Sequence, residues 1–106
     1  EVGIEAHWYG YEENYTTEDL ITEIRDLVPF YDGLIVQLPL PQHVDADKVL
    51  AAVPKEKDVD GFQHDSPFNP ATPQGIMNYL TYCGFEFSGA NCVVIGRSDI
   101  VGKPMA

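Results

Sequence analysis

A nearly continuous apolar run at residues 33–38 constrains the fold more than any other feature of the chain. The run starts at Gly33, contains one polar residue, Gln37, and is followed by Pro39. This composition is typical of a parallel strand that is buried on both faces. A buried amide needs hydrogen-bond partners, so Gln37 is either a satisfied core residue, the simpler interpretation, or part of a site.

Short apolar runs alternate with helical patterns along the rest of the chain. This alternation predicts an α/β fold, with a parallel sheet flanked by helices. Further strands are predicted at residues 2–6 and 92–95, and Gly84 is predicted to end a helix in a left-handed conformation. Four helices are predicted to begin at residues that can cap a first turn: Thr16 or Thr17, Asp45, Thr72, and Ser98 or Asp99.

The last predicted strand and helix are incomplete as a folding unit. Only four residues follow Gly102, whereas a nucleotide-binding half-domain needs a full helix and a further strand after its glycine turn. A strand followed by one helical turn cannot bury its own apolar face. We therefore expect a segment of a longer protein, or a truncated relative of one.

Charge and cysteine usage exclude several classes of function. The chain has 17 Asp and Glu against 6 Lys and Arg, for a net charge of -11. Binding to nucleic acid or to an anionic membrane is therefore not expected. Cys83 and Cys92 are too few for a disulfide framework and lack C-x-x-C spacing, so we expect reduced thiols in a cytoplasmic protein. The three histidines show no metal-ligand spacing, and no metal is expected.

A glycine turn at residues 96–102 follows the third predicted strand. A strand–turn–helix unit directs backbone N–H groups and a helix dipole at a phosphate, and Ser98 can add a hydroxyl group. The spacing G-x-S-x-x-x-G matches the dinucleotide fingerprint G-x-G-x-x-G only loosely. Arg97 would suit a second phosphate, such as the 2′-phosphate of NADP. The alternative is a helix cap beside a solvated Arg97.

A pair of carboxylates, Asp58 and Asp60, lies in the loop that follows the second predicted helix. If this stretch is extended, alternation sends both side chains the same way. Two carboxylates could bind a metal, act as an acid/base pair, or hold a ligand that carries paired N–H donors. The alternative is an Asx turn before Gly61.

Four motifs occur in a specific order, and together they resemble one family. They are GLIVQLPLP at residues 33–41, KDVDGF at 57–62, TPQG at 72–75 and VVIGRSDIVGKPMA at 93–106. This ordered set closely resembles the FolD-type methylenetetrahydrofolate dehydrogenase/cyclohydrolase family. The resemblance covers about residues 16–106.

The resemblance implies a two-domain α/β enzyme of one-carbon metabolism. Such an enzyme oxidises 5,10-methylenetetrahydrofolate with NADP and then hydrolyses the methenyl product to 10-formyltetrahydrofolate. Residues 1–71 would be part of the folate-binding catalytic domain. Residues 72–106 would be the linking helix and the start of a Rossmann-type NADP domain. A folate substrate and a homodimer are implied as partners.

The resemblance also implies roles for individual residues. Gln37 matches the catalytic glutamine that bonds a catalytic lysine, and Asp60 matches the catalytic aspartate that holds the pterin. Val36 and Leu38 match the backbone that flanks the substrate. The NADP phosphates are matched by Gly96, Arg97 and Ser98.

One departure from the family limits what these residues can do. The family lysine lies in a Tyr-x-x-x-Lys helix, but the first lysine here is Lys48. We therefore predict that the 106 residues alone have no dehydrogenase or cyclohydrolase activity. Two alternatives stay open: a non-catalytic, self-associating α/β interaction module derived from this family, and a plain nucleotide-binding module. The incomplete last helix and the aromatic stretch at residues 8–15 motivate the first of these, because both leave apolar surface uncovered.

Overall fold

The computed structural model describes residues 2–106, and helices are its main regular elements. Two 3-10 turns, Val28–Phe30 and Lys55–Lys57, join the helices to the loops that follow them. The helices within the described residues are α1 (Thr17–Leu27), α2 (Ala46–Ala52), α3 (Ala71–Tyr82) and α4 (Gly102–Met105).

Helix α1 begins at the capping residue that the sequence predicts. The Thr16 side chain accepts the backbone N–H of Asp19 at 3.2 Å, and the Asp19 carboxylate accepts the backbone N–H of Thr16 at 3.0 Å. This reciprocal capping box satisfies backbone donors that the first turn leaves without helical partners. The hydrogen bonds that the Asp19 carboxylate accepts from the backbone N–H and the hydroxyl of Thr16 lower its pKa. The helix ends at Leu27, and Pro29 lies in the 3-10 turn that follows.

Thr16→Ala is expected to lower the free energy of unfolding by about 1 kcal/mol, because alanine cannot accept the N–H of the first turn. Denaturant titration of the intact protein that carries this sequence measures the change. Thr22→Ala is the control, since Thr22 lies on the exposed face of α1 and donates to the Glu18 carbonyl. Equal losses in the two variants would contradict a specific capping role.

Helix α2 is joined to α1 at their starts. Asp45 caps α2, as predicted, by accepting the N–H of Lys48 at 3.2 Å. The backbone N–H of Asp45 donates to the buried hydroxyl of Thr17 at 2.9 Å. Three valines form the buried apolar core of the described residues, and they lie on and beside α2: Val44, Val49 and Val53.

Helix α3 begins one residue before the predicted cap. Pro70 is the N-cap residue, and its carbonyl accepts the N–H of Gln74 at 3.0 Å. The prediction that Thr72 caps this helix is therefore wrong. Pro70 is already extended, and Pro73 fits the first turn because its missing N–H would have no helical partner there.

The other end of α3 is formed as predicted. Gly84 has a φ of 77°, and its N–H donates to the Thr81 carbonyl at 2.9 Å. The next N–H, from Phe85, donates to the Leu80 carbonyl at 3.1 Å. These two hydrogen bonds form a Schellman motif, which satisfies carbonyls at the end of the helix.

The predicted parallel sheet is not formed among residues 2–106. The predicted strands at 2–6, 33–38 and 92–95 are not paired as ladders, and the pairing that is present is one parallel bridge between Leu34 and Asp58. A strand needs a neighbour for its backbone donors and acceptors. Residues 92–95 have no such neighbour here, and Val93 and Ile95 are 88% and 98% exposed.

Candidate functional site

The bridge between Leu34 and Asp58 brings two sequence motifs side by side. The backbone N–H of Leu34 donates to the Lys57 carbonyl at 2.8 Å, and the two segments run in the same direction. Gln37 and Asp60 lie three and two residues beyond the bridge. Because the segments are parallel, both residues follow the bridge at the same end of the pair.

The segment before Pro39 presents its polar side chain outward. Gln37 is exposed, and its amide nitrogen donates to the Leu38 carbonyl at 2.9 Å. The interpretation of Gln37 as a core amide is therefore wrong. Val36 and Leu38 on either side are half-buried.

Asp58 and Asp60 have different environments. Asp58 is buried, and its carboxylate accepts the backbone N–H groups of Phe62 at 3.3 Å and Gln63 at 2.8 Å. This is a turn-forming role for the carboxylate of Asp58, the second of the two interpretations above. Asp60 is half-buried; burial raises its pKa, and the charge of Asp58 raises it further. Asp60 is therefore the member of the pair that can meet a ligand.

The turn after Asp60 depends on Gly61. This residue has a φ of 65°, and a Cβ there would lie 2.4 Å from the Phe68 carbonyl oxygen and 2.9 Å from the Pro70 nitrogen. Only glycine allows residues 68–70 to pack so closely on the acidic turn.

The two ends of the glycine turn at residues 96–102 are in close contact. A Cβ on the buried Gly102 would lie 2.6 Å from the Gly96 carbonyl and 2.7 Å from the Arg97 nitrogen. The Ser98 hydroxyl accepts the N–H of Gly102 at 3.2 Å. Arg97 is exposed beside this contact.

Helix α4 starts later than the sequence predicts. Its N-cap residue is Val101, without a side-chain cap, so neither Ser98 nor Asp99 caps it. The reason is that Ser98 bonds the turn before the helix, while the carboxylate of Asp99 pairs with Lys103. This pairing lowers the pKa of Asp99.

Two family models match successive parts of this chain. Residues 1–60 match the family model described as tetrahydrofolate dehydrogenase/cyclohydrolase, catalytic domain, and residues 70–106 match the NAD(P)-binding domain of the same family. The chain belongs to the tetrahydrofolate dehydrogenase/cyclohydrolase family. The resemblance inferred from the four motifs is thereby confirmed.

Relatives in this family align with nearly all of the chain. The bifunctional protein FolD of Acetivibrio thermocellus is 44% identical, and the match covers 100% of this chain and 41% of the relative. That of Lysinibacillus sphaericus is 43% identical, covering 98% and 40%. The chain thus spans about two fifths of the length of these curated relatives.

Solved structures of family members have the same fold over this region. The bifunctional enzyme FolD of Campylobacter jejuni superposes with a TM-score of 0.83 at 39% identity, covering 89% of this chain and 38% of that one. The FolD of Trypanosoma brucei, solved with NADP cofactor and an inhibitor, superposes with a TM-score of 0.81 at 33% identity, covering 89% and 36%.

One shallow depression begins directly after Leu38, and another lies along α1; neither includes Gln37, Asp60 or the glycine turn. Within residues 2–106, no group of three or more His, Cys, Asp or Glu could hold a metal ion, and no helix is long and apolar enough to cross a membrane.

Sequence reasoning missed the long-range contacts of one residue beside Asp58. Lys57 stands next to Asp58, and its ammonium group donates to carbonyls of Val28 and Tyr31. No local sequence pattern could have revealed these two hydrogen bonds, because the acceptors are backbone atoms that lie 29 and 26 residues away.

Proposed function

We propose that this chain is the central part of a bifunctional enzyme of folate one-carbon metabolism. The enzyme oxidises 5,10-methylenetetrahydrofolate with NADP and hydrolyses 5,10-methenyltetrahydrofolate to 10-formyltetrahydrofolate. The observation that carries the proposal is the parallel bridge between Leu34 and Asp58. Gln37 and Asp60 both follow this bridge, at the same end of the paired segments. The matches to both family domains, in order, support it.

Asp60 is proposed to hold the pterin ring. An ionised carboxylate can accept two parallel N–H donors from one ring edge, and it rejects ligands that lack this edge. Half-burial of Asp60 supports the role, because a partly desolvated acceptor bonds more strongly than one in water. The backbone of Val36 and Leu38 would flank the ring.

Gln37 is proposed to orient the catalytic lysine of the family, which these 106 residues do not contain. An amide oxygen can accept a hydrogen bond from an ammonium group, and this contact tunes the protonation of a lysine that shuttles a proton. The exposure of Gln37 supports this role, since a core amide would not reach such a partner.

The glycine turn fits a dinucleotide phosphate. A Cβ on Gly102 would overlap the Gly96 backbone, whereas Gly96 itself has a φ of 137° and nothing within 4 Å of its Cβ position, so the backbone at Gly96 is open to close approach by a ligand. Ser98 and the exposed Arg97 would hold phosphate oxygens of NADP, and the guanidinium suits its 2′-phosphate. When bound, NADP supplies the hydride acceptor, while the protein supplies position and electrostatics.

Arg97→Gln is expected to raise the KM for NADP about tenfold and to leave the KM for NAD within about twofold, because NAD has no 2′-phosphate. Steady-state kinetics of the intact protein with each cofactor measures both constants. Arg25→Gln on α1 is the control, an exposed arginine far along the chain from the turn. An unchanged KM for NADP would favour the alternative, a solvated Arg97 beside a structural turn.

Domain organisation and assembly are part of the same proposal. Residues 1–71 belong to the folate-binding domain, and residues 72–106 provide the linking helix and the first strand of the NADP domain. The exposed apolar residues at 93–95 support a neighbouring strand in the intact protein, where a parallel sheet would be complete. We further propose a cytoplasmic homodimer; the two free thiols support the cytoplasmic location.

The deciding experiment uses the intact protein whose reading frame contains this sequence. Purified protein is given 5,10-methylenetetrahydrofolate and NADP, and reduction of the cofactor is followed together with formation of 10-formyltetrahydrofolate. Both products are expected. Absence of both products from a folded protein of homogeneous mass would contradict the proposed enzymatic activity and favour the self-associating interaction module. Size-exclusion chromatography of the same sample would then detect an oligomer.

A further inference from the structure

Lys57 joins its own turn to residues 28–34, a stretch that is distant from it in sequence. Its ammonium group donates to the Val28 carbonyl and, at 2.7 Å, to the Tyr31 carbonyl, both just beyond the end of α1. Its own carbonyl accepts the N–H of Leu34 at 2.8 Å and that of Val59 at 3.0 Å. The end of α1, the segment with Gln37 and the acidic turn therefore meet at one residue.

The hydrogen bonds between the Lys57 ammonium group and the carbonyls of Val28 and Tyr31 are of a kind that fixes the position of the lysine. Carbonyls at a helix end carry partial negative charge, so an ammonium group is stabilised there. The Lys57 side chain is half-buried, and among the ion pairs between described residues none involves it. The ammonium hydrogen bonds are thus made to backbone carbonyls rather than to a carboxylate side chain, and they hold the chain just before Asp58.

We propose that Lys57 is a positioning residue for the folate site. It sets the register between the segment that carries Gln37 and the turn that carries Asp60, through the side-chain bonds to Val28 and Tyr31 and the backbone bond from Leu34. A displacement of the Asp60 carboxylate by about 1 Å is enough to weaken a paired hydrogen bond to a planar ring. This inference rests on the proposed function, because it assigns the ligand of Asp60.

Lys57→Met tests the proposal in the intact protein, since methionine keeps an unbranched apolar stem and removes the donors. The KM for 5,10-methylenetetrahydrofolate is expected to rise about tenfold, while the KM for NADP stays within about twofold. Lys57→Arg keeps charged donors and is expected to restore the folate KM to within about threefold. Lys48→Met is the matched control, a lysine that is exposed and paired with Asp45 on α2.

Each outcome bears on the proposal. Partial unfolding alone would lower the apparent kcat and leave both KM values unchanged, and that result would overturn it, as would an equal rise in both KM values. If Lys57→Met does not fold, Lys57→Gln carries the test: its shorter amide reaches at most one carbonyl, and an unchanged folate KM overturns the proposal. If the unsubstituted protein is inactive towards folate, the proposed function itself fails, and this inference fails with it.

Discussion

Replacing Gly61 by alanine is expected to destabilise the intact protein by about 3 kcal/mol, the largest stability effect that the structure predicts. The left-handed φ of 65° accounts for about 1–2 kcal/mol of this loss. The remainder comes from overlap, because a Cβ would lie 2.4 Å from the Phe68 oxygen and 2.8 Å from the Asn69 carbonyl carbon. These are backbone atoms, so they cannot rotate away. Denaturant titration measures the change.

Gly84→Ala separates the two causes. Gly84 has a comparable φ of 77°, but a Cβ there meets nothing within 4 Å. It is therefore expected to lose only the conformational part, about 1 kcal/mol. Equal losses at the two positions would show that the loop at residues 68–70 does not pack against the acidic turn as described.

The sequence predicted those features that depend on local chemistry. Thr16 and Asp45 cap helices and Gly84 ends one, because each acts within four residues of its own position. The start of α3 was predicted less well, since Thr72 is a common capping residue but the helix begins at Ala71, with Pro70 as the N-cap residue and Pro73 in the first turn.

Features that depend on distant partners could not be predicted in the same way. The apolar run at residues 33–38 has the composition of a buried strand, yet pairing requires neighbours, and the described residues supply a single bridge to Asp58. The hydrogen bonds from Lys57 to the carbonyls of Val28 and Tyr31 leave no sequence pattern, because a backbone carbonyl is present at every residue. Gln37 and Asp60 were predicted as site residues from the resemblance, and their roles remain predictions.

Asp60→Asn is expected to lower kcat/KM for 5,10-methylenetetrahydrofolate about 100-fold in the intact protein. An asparagine amide offers one acceptor where the carboxylate offers two, and its NH₂ group opposes a donor of the ring. The variant loses one charge-assisted hydrogen bond and the charge assistance of the other, together about 3 kcal/mol, which gives this factor. The KM for NADP is expected to stay within about twofold, because the glycine turn is untouched.

The raised pKa of Asp60 gives this prediction a second, independent part. Burial and the charge of Asp58 raise that pKa, so protonation begins at a higher pH than for an ordinary aspartate. The KM for 5,10-methylenetetrahydrofolate is therefore expected to rise as the pH falls through the raised pKa of Asp60. This pH dependence of the KM is expected to disappear in Asp60→Asn.

The same shift predicts that Asp60→Asn does not destabilise the protein. A carboxyl group whose pKa is raised by folding stabilises the folded state below its unfolded pKa, and this contribution is lost as the pH rises through the folded pKa. At neutral pH the ionised Asp60 is thus unfavourable, and the neutral asparagine is expected to unfold at the same or a higher denaturant concentration.

Asp65→Asn is the control: Asp65 is exposed, lies in the same loop and has a φ of 68°, which asparagine tolerates. It should leave kcat/KM unchanged. A variant at Asp60 that loses stability in proportion to activity would show that the carboxylate supports the turn rather than a ligand.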